Sequence, residues 1–244
     1  MDLAIIVPCR LASQRFPKKL LHKVLGKELI LWTADRIKKE VPELPLFFAV
    51  DDPSIKQILK ENGYKTVMTH PDHESGTDRI AEANNGIKAE YVINVQGDEP
   101  LITGEQIRKL GELIQTNVDM ATLATPFKSN SDFHDPNQVK VVLAENRQAL
   151  YFSRSPIPYS REHKGMLQAA SPALRHLGLY AYSANFLIQF RSLKQGYLEN
   201  IEKLEQLRAI ENGFKIGVGI THTATIGIDS PEDVSKLEAA LKSL

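Results

Sequence analysis

Four short segments carry side chains whose types and spacing could do chemistry. PCRLASQRFPKKL, residues 8–20, sets Arg10, Arg15, Lys18 and Lys19 directly after an apolar run. Guanidinium, ammonium and loop N–H groups in that setting suit the oxygens of a phosphate chain, each of which accepts charge-assisted hydrogen bonds. A solvated basic loop is the alternative. VINVQGDEP, 92–100, feeds an apolar run into Asp98, a carboxylate suited to a magnesium ion that bridges phosphate oxygens; a turn with a helix-capping aspartate is equally compatible. Asp229 in TIGIDSP ends another strand-like run. It could share the metal with Asp98, although an isolated aspartate there is more often an N-cap or turn residue. HESGTDR, 73–79, offers Ser75, Gly76 and Arg79 at a turn into a helix. Small residues let backbone approach a base or ribose, and a capping start accounts for the pattern nearly as well. His73 has no partners at metal-ligand spacing and is left unassigned. Neither G-x-x-x-x-G-K-[ST] nor G-x-G-x-x-G occurs, which excludes a P-loop ATPase and a standard dinucleotide site.

These segments need elements that bring them to one place. LAIIVP, 3–8, is an apolar run of the kind buried on both faces of a parallel sheet. Leu29, Ile30, Trp32, Ala34 and Ile37 follow at helical spacing and end in RIKKE, basic as a helix carboxyl terminus prefers. Strand LFFAV at 46–50, helix 53–63 stopped by Gly63, strand KTVMT at 65–69, a helix from Thr77 to Ala83 and strand YVINVQG at 91–97 continue the alternation. The expected fold is α/β, a mainly parallel sheet between helices. In such sheets ligands bind beyond the carboxyl ends of the strands, so the basic loop, the turn after Thr69 and the Gly97-Asp98 turn should share an edge.

After residue 115, MATLATPF, QVKVVLA, ALYFSR and RHLGLYAYS are β-rich and read as an inserted mixed subregion at 120–200 within one domain of 1–244. Residues 199–212 read as one amphipathic helix capped by Gly213, with Ile201, Leu204, Leu207 and Ile210 on its apolar face. KIGVGI and a final helix from Pro231, N-capped by Ser230, close the chain.

Composition narrows the classes. With 244 residues and 42% hydrophobic content the chain buries a sizeable core. Lys plus Arg equal Asp plus Glu at 30 each, so no global field draws in nucleic acid or an anionic membrane, and anionic ligands need local clusters. The amino terminus carries no leader pattern, which predicts a soluble cytoplasmic protein. The single cysteine, Cys9, excludes an internal disulfide and a multi-cysteine zinc site, and is assigned no chemistry.

Taken together the segments resemble the 3-deoxy-manno-octulosonate (Kdo) cytidylyltransferase family along nearly the whole chain. The opening pattern runs from Pro8 to Leu21, H-x-S-G-T-[DE]-R from His73 to Arg79, and V-Q-G-D-E-P from Val95 to Pro100. A-L-Y-F-S-R spans Ala149 to Arg154, R-H-L-G-[IL]-Y spans Arg175 to Tyr180, L-E-Q-L-R spans Leu204 to Arg208, and G-[IV]-D-[ST]-P-E-D spans Gly227 to Asp233. The resemblance implies a nucleotide-diphospho-sugar transferase fold, CTP and an acidic eight-carbon sugar as substrates, Mg2+ as cofactor, and a homodimer built through the β-rich subregion. Nucleic acid and membrane are not implied partners. By resemblance Arg10, Ser13 and Lys19 handle the CTP phosphates, Ser75, Gly76, Arg79 and Gln96 line the nucleoside side, and Asp98 and Asp229 hold magnesium. Arg154, His176, Tyr180, Glu205 and Gln206 meet the sugar acid. Lys18, Leu20, Gln14 and Cys9 depart from the family's glycine, proline, serine or threonine, and alanine. Because glycine permits torsions that lysine disfavours, the loop is expected to close differently or to gain a phosphate contact from Lys18.

The implied reaction is in-line attack of the anomeric C2 hydroxyl on the α-phosphorus of CTP with departure of pyrophosphate, feeding lipopolysaccharide assembly. Alternatives are the same reaction on the 8-amino analogue or another acidic sugar, and a nucleotide-sensing homologue without turnover.

Overall fold

The computed structural model describes residues 1–12, 16–167, 173–223, 227–228 and 232–242. The chain divides into two compact units, Met1–Arg108 with Thr225–Leu244, and Lys109–Ala224. The second unit takes in the β-rich segment expected at 120–200.

In the first unit, β1 (Leu3–Cys9) leads through a basic loop and a 3-10 turn, Lys19–Leu21, to a ribbon of β2 (Lys23–Val24) and β3 (Lys27–Glu28). Then follow α1 (Leu29–Glu40), β4 (Leu46–Val50), α2 (Pro53–Glu61), β5 (Lys65–Met68), α3 (Gly76–Ile87) and β6 (Tyr91–Asn94). β1 pairs in parallel with β4 and β6, and β4 with β5. This is the parallel arrangement that the apolar runs predict, and Ile5, Ile6, Phe48, Val50, Val92 and Ile93 are buried in it. Asp52 caps α2 by accepting from the Ser54 N–H at 2.8 Å, with Pro53 in the first helical position. Gly63 ends that segment with φ +78°.

The strand expected over 91–97 pairs only as far as Asn94. Beyond it the Gly97 carbonyl accepts the Thr33 hydroxyl at 2.8 Å, and a 3-10-like turn (Glu99 N–H to Gln96 carbonyl, 3.2 Å) replaces the ladder. The helix expected over 77–83 extends to Gly76–Ile87. α4 (Gly104–Ile114) follows.

The second unit holds β7 (Met120–Pro126), α5 (Asn130–His134), β8 (Lys140–Leu143), β9 (Ala149–Ser153), β10 (Leu174–Ser183), α6 (Ala184–Phe190), α7 (Tyr197–Glu202), α8 (Gln206–Glu211) and β11 (Ile216–Ile220). β7 pairs with β11 in parallel and with β10 antiparallel, and β8 pairs antiparallel with β10 and β9. The β7–β10 register shifts between Leu177 and Tyr180.

The single helix expected over 199–212 is two helices. Lys203 adopts a left-handed conformation, φ 53°, and ends α7. Leu204 and Leu207 are buried as the apolar face predicts, whereas Ile201 is 62% exposed. The break lets Glu199 of α7 receive both Nε and Nη2 of Arg208 on α8, at 2.7 and 2.6 Å. A bidentate pair of this kind fixes the angle between the two short helices.

In the first unit the final helix α9 (Glu232–Lys242) supplies Leu237 to a cluster with Phe16, Val24, Leu29 and Ile228. Ser230 and Pro231, the expected start of that helix, lie outside the described residues.

Candidate active site

At the carboxyl edge of the first unit's sheet lies a cleft of about 1090 Å³. Arg10, Lys19, Ser75, Gly76, Arg79, Gln96 and Asp98 all line it. These are all the nucleotide and metal residues predicted among the described ones, gathered from three loops far apart in sequence. Ser13 and Asp229 lie outside the described residues.

The floor of the cleft is set by a close approach. A Cβ on Gly97 would lie 3.1 Å from the side chains of Leu20 and Ile30, tighter than normal packing allows without displacement. Glycine therefore lets the buried Leu20 seat the 3-10 turn beside the loop that carries Asp98. The Lys19 ammonium consequently meets the Asp98 carboxylate and, at 2.6 Å, the Ile228 carbonyl. Ile228 returns its N–H to the Asp98 carbonyl at 3.3 Å, so the segment just before Asp229 is stitched to the Asp98 turn.

Lys18 occupies left-handed space, φ 55° and ψ 30°. The lysine thus takes the backbone conformation for which the family pattern has glycine, and it lines the cleft.

Ser75 is the N-cap of α3: its hydroxyl oxygen accepts the Asp78 N–H at 3.1 Å and donates to the Asp78 carboxylate at 2.9 Å. Arg79 is 2% exposed. Its Nη1 donates to the Thr69 hydroxyl at 2.6 Å and to the His70 carbonyl at 3.3 Å, and its Nη2 donates to Asp51 at 3.1 Å. His73, unassigned from sequence, pairs with Glu82 of α3 and tethers the turn that begins the motif. Cys9 is buried, and burial pushes its thiol far above the ordinary range. It has no thiolate chemistry to offer.

The residues assigned to the sugar lie in the second unit. His176 and Tyr180 sit with ring centroids 5.5 Å apart on β10, with Phe152 of β9 at 4.9 Å from His176. Burial holds His176 neutral, its pKa brought down to about 3. Thr122 Oγ1 lies 2.9 Å from His176 Nε2 and within hydrogen-bond distance of the Leu177 and Leu179 carbonyls, at 3.1 and 2.8 Å, which ties the ring to the β7–β10 pairing. The Tyr180 phenol is raised by burial and then by Tyr182 and Glu205. Gln206 is buried and its Nε2 has no hydrogen-bond partner among the described residues, the state of a donor that a ligand oxygen would satisfy. Arg154 Nε, Nη1 and Nη2 donate to the carbonyls of Glu202, Pro136 and Lys203 at 2.7, 3.0 and 3.4 Å.

Four partners escaped the sequence reading. Asp51 and Asp52 stand at the carboxyl end of LFFAV, and their place at the same sheet edge is a signal that could have marked them. Glu202, which accepts the Ser153 hydroxyl and the Arg154 N–H, and Lys140, which donates to the carbonyls of Asp135, Gln138 and Arg154, have no local signature.

A parallel sheet whose carboxyl edge sets a basic loop against an aspartate, without a P-loop, is the arrangement of a nucleotidyltransferase. The family model described as cytidylyltransferase matches residues 4–216, and a 3-deoxy-manno-octulosonate cytidylyltransferase of Syntrophotalea carbinolica is 41% identical over 100% of both chains. The chain belongs to the cytidylyltransferase family, among the 3-deoxy-manno-octulosonate cytidylyltransferases. An 8-amino-3,8-dideoxy-manno-octulosonate cytidylyltransferase of Shewanella putrefaciens is 42% identical over 99% of each chain. The structure of a CMP:2-keto-3-deoxy-manno-octonic acid synthetase in complex with CTP superposes with a TM-score of 0.92 at 34% identity, covering 100% of this chain and 99% of that one.

Proposed function

We propose that this chain transfers CMP from CTP to the anomeric C2 hydroxyl of Kdo and releases pyrophosphate. The observation that carries the reading is the cleft that Arg10, Lys19 and Asp98 line together, with the Lys19 ammonium paired to the Asp98 carboxylate. Arg10 and Lys19 supply positive charge for the triphosphate and for the pyrophosphate as it leaves, in a geometry set before substrate arrives. Gln96, whose amide donates to Asn94 Oδ1 at 3.1 Å, and the α3 start line the nucleoside side. His176, Tyr180, Glu205 and Gln206 offer hydrogen-bonding groups to the sugar.

The donor set suits magnesium, which takes one or two carboxylates and completes its shell with phosphate oxygens and water; Asp98 would hold it, with Asp229 as the second candidate. Bound there, the ion supplies charge stabilisation at the α-phosphate. Asp98 and Lys19 keep each other in place at the floor of the cleft, so the carboxylate is presented without rearrangement.

A second reading, transfer to the 8-amino analogue, is favoured by the equally similar Shewanella relative. We further place the enzyme in the cytoplasm, ahead of lipopolysaccharide assembly, and as a homodimer; exposed Leu150, Ile188, Tyr197 and Ile201 of the second unit support association. Among the described residues no helix is long and apolar enough to cross a membrane.

The deciding experiment measures pyrophosphate release with CTP, UTP or ATP against Kdo, its 8-amino analogue and a sialic acid. Release with CTP and Kdo above all other pairs is expected. Preference for the amino sugar selects the second reading, and CTP binding with no release on any sugar overturns both.

A further inference from the structure

Asp51 lies on the cleft wall between the two halves of the proposed nucleotide site. Strand β4 ends at Val50 and Asp52 is spent as the cap of α2, which leaves Asp51 turned to the cleft with its side chain 9% exposed. One carboxylate oxygen, Oδ1, accepts the backbone N–H of Leu11 at 2.9 Å; the other, Oδ2, accepts Arg79 Nη2 at 3.1 Å. Arg79 is in turn fixed by Thr69, whose own N–H and hydroxyl are bonded to the Val50 carbonyl at 2.9 and 3.1 Å. A chain of hydrogen bonds therefore runs from the sheet through Arg79 and Asp51 to the first turn of the basic loop, immediately after Arg10.

An unpaired carboxylate on that wall would repel a triphosphate and would itself be costly to bury. The Arg79 guanidinium removes both objections, so Asp51 can hold a loop amide beside an anionic ligand. Resting on the reading of the cleft as a CTP site, we propose that Asp51 is a positioning residue for the triphosphate, fixing the loop through the Leu11 N–H, and that Arg79 acts on the nucleotide through Asp51. The pairing also explains why Arg79, one of the largest buried side chains, stands at the cleft.

The test combines hydrogen exchange of the peptide containing Leu11, CTP affinity by calorimetry without sugar, and steady-state kinetics. Asp51→Ala is expected to speed exchange at Leu11, to weaken CTP binding about tenfold or more, and to raise KM for CTP while KM for the sugar stays unchanged. Asp51→Asn keeps an acceptor for the Leu11 amide and should recover most of the exchange protection and part of the affinity. It also serves if the alanine variant does not fold. Unchanged Leu11 exchange and unchanged CTP affinity in a folded variant overturn the proposal, as does an equal rise in both KM values. Exchange needs no nucleotide, so it judges the hold of Asp51 on the loop even if the unaltered protein binds no CTP, a result that would overturn the cleft reading instead.

Discussion

The Lys19 ammonium bridges the Asp98 carboxylate and the Ile228 carbonyl, joining two loops 79 residues apart to the segment that precedes Asp229. Lys19→Ala and Asp98→Ala are each expected to lower kcat/KM by about 10²–10³, the range for removing one charge-stabilising group from a preorganised site. Because the two side chains act as a pair, the double variant should lose little more than the worse single. Pyrophosphate release at saturating magnesium measures all three. Losses that multiply would show that the two groups act independently.

Lys18 presents the opposite case, a residue whose backbone is strained where its charge is useful. An L-residue in left-handed space costs roughly 1–2 kcal/mol, partly offset because glycine loses about 0.5–1 kcal/mol more conformational entropy on folding. Lys18→Gly should therefore raise stability by up to about 1 kcal/mol in a denaturant titration. The same change removes a cation from the cleft and should raise KM for CTP a few-fold. A variant with lower stability would mean that the Lys18 side chain, rather than its backbone, dominates at this position.

How much of this was legible depends on the range of the forces involved. The apolar runs of β1 and β4 and the stop at Gly63 are local signals, and the sheet-edge rule then brings Arg10, Lys19, Gln96 and Asp98 together without further information. The split between α7 and α8 is not local: it depends on Lys203 turning left-handed so that Glu199 can meet Arg208. The Asp51 bond to the Leu11 amide joins residues 40 apart, and no spacing rule reports it. The contacts of Arg154 are likewise non-local, since in the fold its guanidinium donates to three backbone carbonyls at 136, 202 and 203.

His176 makes a pH prediction whose sign follows from its burial. Its pKa is about 3 in the fold against an ordinary 6.5, so below pH 6.5 the unfolded chain takes up the proton first. The stability contribution of the neutral ring is present above pH 6.5 and is lost as the pH falls toward about 3, at no more than about 1.4 kcal/mol per pH unit. Urea titrations from pH 7 to about pH 5 should show this decline. His176→Gln, which can still hydrogen-bond to Thr122, should flatten it. An identical slope in the variant would assign the decline to other groups.

The Glu199–Arg208 pair separates fold from site. Both side chains are nearly buried and joined by two hydrogen bonds, and the Arg208 guanidinium also lies 4.7 Å from the centre of the Phe190 ring. Truncating one partner strands the other charge in a poorly hydrated place, so Arg208→Ala should cost about 3–5 kcal/mol. Replacing both by apolar residues of similar volume, Glu199→Leu with Arg208→Met, removes the stranded charge and should cost much less. CTP affinity should be unchanged in the double variant, because the cleft residues belong to the first unit. If the double variant is instead less stable than Arg208→Ala, the pair contributes more than its desolvation takes away, and the sharp turn at Lys203 depends on the ion pair itself.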